Sequence, residues 1–572
     1  MAWYDEAVFY HIYPLGLTGA PKENDYGEPV HRLRELFPWI DHIREIGCNA
    51  IYIGPLFESV GHGYETTDYK KLDSRLGVNE DLKDFVQECH KQEIRVILDG
   101  VFNHTGRDFY MFQDIKKNRE KSQYKDWYSN IDFAGNNEYD DGFSYDNWGG
   151  YNLLVRWNQQ NPLVRQYICD VIRFWVSEFD IDGIRLDTAD VLDFELMADM
   201  RQVANEVKED FWLMGEVIHG DYTRWVNDGT LHSVTNYQLH KALYSGHNDH
   251  NYFEIVHTVR YLYEKGGNHP NGLKLYNFVD NHDVERIYTK LHDKAHMIPV
   301  HILLYTLPGI PSIYYGSEFG IEGKKEQFSD DSIRPQIQLS DYADSIQSNP
   351  YTCLIAALAG IRQDTEALSY GAYEELMLTN RQYAFARTYQ DQRVVVSVNN
   401  DSNPCDVTVP AGNVSTYQGA LSGMVNHVVD GSLNIHMEGN SGEIWISMED
   451  EDVAKDEDIV EEKTHTKDEQ IMPNPGVDMT QGMVTDTVTE VAHEETVEGE
   501  VTVDEIPAET ATSDELSPRE INKSYEEMTI EELQSTILYK MAKNGPLTNQ
   551  MRKDVADNIY HDSLMNWVRS FQ

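Results

Sequence analysis

Cysteine is scarce: the 572-residue chain has five, Cys48, Cys89, Cys169, Cys353 and Cys405, each standing alone. An odd number with neither paired nor metal-ligand spacing excludes a disulfide framework and a zinc ribbon, and fits a reducing cytosol. Long apolar runs are missing as well. No stretch approaches the roughly 20 residues that span a bilayer. The first ten residues start acidic and run straight into an apolar strand, without the basic segment and long apolar core of a signal peptide. The expectation is a cytoplasmic protein with no membrane partner. Basic residues are few: 47 Lys and Arg face 97 Asp and Glu, for a formal charge of -50. A phosphate backbone would be repelled, which excludes nucleic acid as a partner. Aromatic residues disappear locally. Residues 449–518 hold no Phe, Trp or Tyr and 23 acids against three Lys and no Arg. Such a segment cannot bury enough surface to fold and reads as an acidic disordered linker.

What is present is regular. From Ala7 to about residue 366, apolar strand candidates alternate with helical stretches: residues 8–14, 49–55, 95–102, 183–187, 211–216, 275–280 and 312–316. That alternation predicts a parallel sheet with helical crossovers, the α/β class, and seven candidates come close to the eight of a (β/α)8 TIM barrel. Residues 162–179 place Val164, Ile168, Val171, Ile172 and Trp175 at helical spacing, as a crossover helix requires. One connection is too long for a loop: more than fifty residues, rich in Tyr, Trp, Asp, Asn and Gly, separate His104 from Asn158. It reads as an inserted subdomain. From 367 to 448 the period becomes two, with Asn, Asp, Gly and Pro turns, which predicts an antiparallel β-sandwich. Beyond the linker, Thr529 to Glu532 reads as a capping box ahead of Leu533, Ile537 and Met541 at helical spacing. This end reads as a short helical hairpin, suited to holding a protein partner.

Four short segments carry acids and imidazoles at the ends of the apolar runs: Asp99-Gly-Val-Phe-Asn-His104, Gly183-Ile-Arg-Leu-Asp187, Gly215-Glu216 and Phe278-Val-Asp-Asn-His-Asp283. In a barrel the C-terminal strand ends open on one face, so the four converge. Three acids there match what glycosidic-bond cleavage needs: one to protonate the leaving oxygen, one to attack the anomeric carbon and one to face developing positive charge. Asp187 lies two residues after Arg185 and shares its face, so the guanidinium keeps it ionised and oriented, as a nucleophile requires. Glu216 ends the apolar run Phe211–Met214, surroundings that suit a proton donor. Asp283 faces the reacting ring as a fixed negative charge while His282, like His104, offers hydrogen bonds to sugar hydroxyls. Asp99, one strand from Arg185, reads equally as participant and as support.

In order and spacing these segments resemble the four signature regions of the α-amylase family, glycoside hydrolase family 13. The resemblance implies a (β/α)8 barrel over 1–104 and 159–366, an inserted subdomain after strand 3 over 105–158 and a C-terminal β-sandwich over 367–448. It leaves the linker 449–518 and the helical tail 519–572 unmatched. It assigns Asp187 as nucleophile, Glu216 as general acid/base and Asp283 as transition-state stabiliser. His62, Tyr64, His104, Arg185, His282, Asp330 and Arg334 become substrate-binding residues, Asp99 and Asp68 structural support, and Asn103 a candidate calcium ligand. Calcium is optional and no cofactor is required. The implied substrate is an α-glucan oligosaccharide, and Asp187-Thr-Ala-Asp190 with Gly215-Glu-Val-Ile-His219 resembles members that act on maltodextrins or cyclodextrins. The inserted aromatics Trp127, Tyr128, Tyr145, Trp148 and Tyr151 each read as packing, yet as a group offer stacking faces for sugar rings. A transglycosylase with the same triad and a non-catalytic glucan-binding scaffold are the competing readings.

Overall fold

The computed structural model describes residues 2–266, 272–327 and 329–448, together with Leu533, Gln534 and Ile537, which are helical. The acidic linker and the rest of the expected tail hairpin lie outside the described residues. Eight strands form one sheet: β1 (Phe9–Ile12), β2 (Ala50–Ile53), β3 (Arg95–Gly100), β4 (Gly183–Leu186), β5 (Trp212–Gly215), β6 (Ser233–Val234), β7 (Tyr276–Phe278) and β8 (Ile310–Tyr314). All neighbours are parallel, and β1 pairs with both β2 and β8. A parallel bridge from Thr235 to Tyr276 joins β6 to β7 and closes the barrel. The one strand that sequence patterning does not reveal is β6, whose two residues are too few to show a period.

Both faces of these strands are buried, which is why they read as nearly continuous apolar runs. Alternation still sorts them. Phe9, Ala50, Ile97, Trp212, Met214, Tyr276 and Phe278 fill the barrel interior, while Tyr10, Ile12, Ile51, Ile53, Val96, Leu98, Ile184 and Leu213 belong to the large cluster under the helices. The same period carries chemistry to the upper layer: two residues beyond Phe9, Ile97 and Met214 come His11, Asp99 and Glu216, and two beyond Gly183 comes Arg185. All four side chains are buried. Gly54, just past β2, makes room for this layer, because a Cβ there would lie 2.3 Å from the Asp99 Cβ.

The crossover helix α1 (Pro162–Phe179) starts with Pro162 behind an Asn161 cap that accepts from the Leu163 amide, and it ends at Asp180 in the left-handed conformation. In the insertion, a three-stranded antiparallel sheet joins His104–Gly106, Tyr151–Arg156 and Asn147–Trp148. Towards the C-terminus stand a six-stranded antiparallel sheet and a two-stranded one, Cys405–Pro410 with Ser432–Met437. Ala384, Ala386, Val395 and Trp445 face Val409, Leu433, Ile435 and Met437 between the sheets. The other face of the large sheet, with Phe385, Val394, Val396 and Ile444, packs into the barrel's own core. Arg387, fully buried, seals that junction by donating to the carbonyls of Thr306 and Gly371.

Buried imidazoles make this packing sensitive to acid. His247 on helix α2 (Tyr237–Asn248) and His301 on helix α3 (Met297–Thr306) each use Nδ1 on a backbone carbonyl one turn back, Leu243 and Met297. Burial lowers them to about 3 and about 4. The unfolded chain protonates both rings below about pH 6.5, while the folded chain leaves them neutral. Stability is therefore expected to fall as pH drops from 6.5, by about 1 kcal/mol per pH unit for each ring. Urea midpoints at pH 6.5 and 5.5 measure the slope, and His301→Leu should flatten it by one ring's share.

Candidate active site

Arg185 is the hub of the upper layer. Its Nη1 donates to Asp99 Oδ1 at 2.8 Å and Asp187 Oδ1 at 2.9 Å, and its Nη2 lies 2.9 Å from Glu216 Oε2. One guanidinium thus orients three carboxylates drawn from β3, β4 and β5. Asp99 is braced further by the hydroxyls of Tyr52, at 2.9 Å, and Tyr64, at 3.1 Å. Tyr237 donates to Glu216 Oε1 at 3.3 Å and itself accepts from Asn281. Thr188, next to Asp187, has φ 42°, an outlier for a β-branched residue. Its amide reaches Glu216 Oε2 at 3.2 Å, so the strained turn ties the Asp187 strand end to the Glu216 strand end.

Burial pushes the Asp187 carboxyl well above its usual range; Arg185 pulls it down, and the carboxylates of Glu216, Asp99 and Asp283 push it up again. The expectation that Arg185 alone settles its charge is too simple, because one cation serves three acids in a dry site. Asp283 is different. Burial raises it, but His282, with Nε2 3.0 Å away, Arg334, at 2.8 Å, and Lys325 outweigh that and hold it well below the carboxylate range. It is a fixed negative charge.

Of the remaining predicted residues, His282, Arg334, Asp330 and Tyr64 gather around Asp283. Arg334 bonds Asp330 at 2.9 Å and the His282 carbonyl at 2.8 Å. The Tyr64 hydroxyl meets His282 Nε2, and the two rings stack at 13°. His62 faces Glu65 at 3.0 Å on the same loop. His104 is buried, its Nε2 meets no hydrogen-bond partner, and burial lowers it to about 3, so it presents a neutral ring. Asp68 makes a local contact: its Oδ1 accepts from the Lys70 amide at 2.8 Å. Neighbouring Tyr69 does the bracing instead, donating to the carbonyls of Val101 and His104. Asn103 is engaged within the protein. Its Oδ1 already accepts from Gln159 and its Nδ2 lies against His104 Nδ1, and among the described residues no three His, Cys, Asp or Glu side chains gather as ligands.

Several contributors escaped sequence reasoning. Tyr13 stacks on His282 at 10° and donates to the His62 carbonyl. His11 stacks on Tyr52 with ring centroids 4.1 Å apart. Both lie at or just past strand ends, so alternation alone marks His11 and Tyr52 as inward-facing. Asn281 sits inside the fourth segment; its Oδ1 accepts from the Asp283 amide.

The family model described as Alpha amylase, catalytic domain, matches residues 33–352, and Alpha-amylase C-terminal domain matches 371–445. A cyclomaltodextrinase of Thermoanaerobacter pseudethanolicus is 31% identical over 423 residues, covering 70% of this chain and 71% of that protein. Among solved structures, a cyclomaltodextrinase superposes with a TM-score of 0.69 at 26% identity, covering 78% of each chain. A debranching enzyme of Nostoc punctiforme gives 0.65 at 25% identity, covering 77% of this chain and 98% of that one. With its four segments converged on one barrel face and both domains matched in order, this chain is a glycoside hydrolase of the α-amylase family.

Proposed function

We propose that the protein hydrolyses α-1,4-glucosidic bonds of maltodextrins or cyclodextrins with retention of anomeric configuration. The observation that carries this is Arg185 holding Asp187 and Glu216 on its two terminal nitrogens. Nitrogens that close favour the carboxyl separation of about 5–5.5 Å found in retaining enzymes over the about 6.5–9.5 Å that admits a water between the acids. Names of relatives support the substrate: two similar proteins are cyclomaltodextrinases and a third is a maltogenic α-amylase.

In this reading Glu216 gives its proton to the glycosidic oxygen as the bond to the anomeric carbon breaks. Asp187 attacks that carbon and forms a glucosyl ester. The deprotonated Glu216 then takes a proton from water, whose oxygen displaces Asp187 and restores both acids. Asp283 stabilises positive charge on the ring in both transition states. His62, Tyr64, His104, His282, Asp330 and Arg334 hold the reacting sugar, and Asp99 fixes Arg185. Residues 1–104 and 159–366 would be the catalytic module, 105–158 its insertion and 367–448 the sandwich. A cytoplasmic location belongs to the same reading and is supported by five free cysteines.

Transfer to a second sugar is the alternative, favoured by one observation: the chain following β4 and β5, on the barrel end where the acids lie, leaves the apolar Val191 and Ile218 exposed. Incubation with maltoheptaose, β-cyclodextrin and starch, followed by chromatography, separates the readings. Shorter maltooligosaccharides are expected, longer ones would establish transfer, and no turnover would refute both.

A further inference from the structure

Of the five aromatics singled out in the insertion, three are committed to packing. Tyr128 and Tyr145 are buried, and Trp127 lies edge-on to Tyr124 and against Trp157 and Tyr167. Trp148 and Tyr151 are different. Trp148 is half-buried and Tyr151 is 63% exposed, on either side of a two-residue turn, Gly149-Gly150, with φ of 60° and 84°. Positive φ at both central positions is the tight hairpin geometry that glycine serves best. The two aromatics are direct cross-strand partners, which places their side chains on one face.

That tip is stiff. Buried Arg107 donates to the Tyr145 hydroxyl, which donates to the Asn152 carbonyl, and Asn147 Nδ2 donates to Asn152 Oδ1. It is also continuous with the reaction centre. Its longer strand pairs with the strand that begins at His104, and the Trp148 ring centroid lies 6.1 Å from that of His104. Rings carried on a braced backbone beside the site lose less freedom when a ligand covers them, and the CH face of a pyranose is the kind of surface an aromatic ring covers.

From this geometry we infer that Trp148 and Tyr151 form a stacking platform for a glucose unit removed by one or more places from the reacting ring. The platform makes turnover depend on chain length, and it rests on the α-glucan reading above. The test is kcat/KM for maltotriose and maltoheptaose with the full protein and with Trp148→Ala, Tyr151→Ala and Tyr151→Phe. Tyr151→Ala is expected to lose about fivefold or more on maltoheptaose and less than about twofold on maltotriose, with Tyr151→Phe close to the unchanged protein. Trp148→Ala should show the same selectivity; if it fails to fold, the exposed Tyr151 carries the test alone. Equal losses on both substrates, or no loss on maltoheptaose, would overturn the platform while leaving the hydrolase reading intact. Failure of the unchanged protein to cleave either substrate would overturn that reading, and the platform with it.

Discussion

Glu216→Gln is expected to lower kcat on maltoheptaose by about 10³-fold or more, and Asp187→Asn by about 10⁴-fold, with both proteins folded. The amides keep the shape of the carboxyls and can still meet Arg185 Nη2 or Nη1. What each loses is specific. A glutamine has no proton to give the glycosidic oxygen, so its loss is greatest for poor leaving groups and shrinks for a substrate whose leaving group departs unaided. An asparagine cannot form the ester at all, and its loss is the same for every leaving group. The effects are not expected to add, because the two groups act in one step. Values of kcat/KM, which read ester formation and not its later hydrolysis, on maltoheptaose and on an activated maltosyl fluoride provide the comparison. A Glu216→Gln protein equally impaired on both would contradict the role assigned to Glu216.

Arg185→Met is expected to cost about 3–5 kcal/mol of stability and to remove activity. The residue is 2% exposed and is the cation that touches Asp99, Asp187 and Glu216 together. Its removal leaves three buried carboxyls facing one another, which then take up protons to relieve the repulsion. Arg185→Lys should not rescue function, since one ammonium cannot reach both sides of the fork the guanidinium spans. Urea unfolding at pH 7 and at pH 5 checks the claim. The penalty should shrink at the lower pH, where protonated carboxyls no longer need the cation; a penalty independent of pH would point to lost packing instead.

Much of this fold is visible in the chain because its strands are buried on both faces and announce themselves as apolar runs. β6 is not, because two residues carry no pattern. The site was legible for a related reason: acids that end apolar runs are costly unless they converge on a cation or a ligand, and Asp99, Asp187 and Glu216 converge on Arg185. Legibility stops where contacts depend on long-range geometry. Tyr237 reaches Glu216 from a helix 21 residues away, and Tyr13 reaches His282 from the far end of the barrel sequence. Nothing local in either tyrosine marks it. Asp68 stands at a motif position, and its carboxylate makes a local contact, accepting from the Lys70 amide two residues on. Asn103 has the right atom for a cation, and the contact it makes, to Gln159 56 residues on, is invisible locally.

The proposed reaction turns on a covalent glucosyl ester on Asp187. With an activated α-maltosyl fluoride, Glu216→Gln protein should form the ester, since fluoride leaves without a proton, and should break it slowly, since no base activates water. Intact-mass analysis of the acid-quenched protein, followed by peptide mapping, reads this directly. The account requires one added maltosyl group on the peptide that carries Asp187. Steady turnover of the fluoride with no adduct, together with product of inverted anomeric configuration, would contradict it.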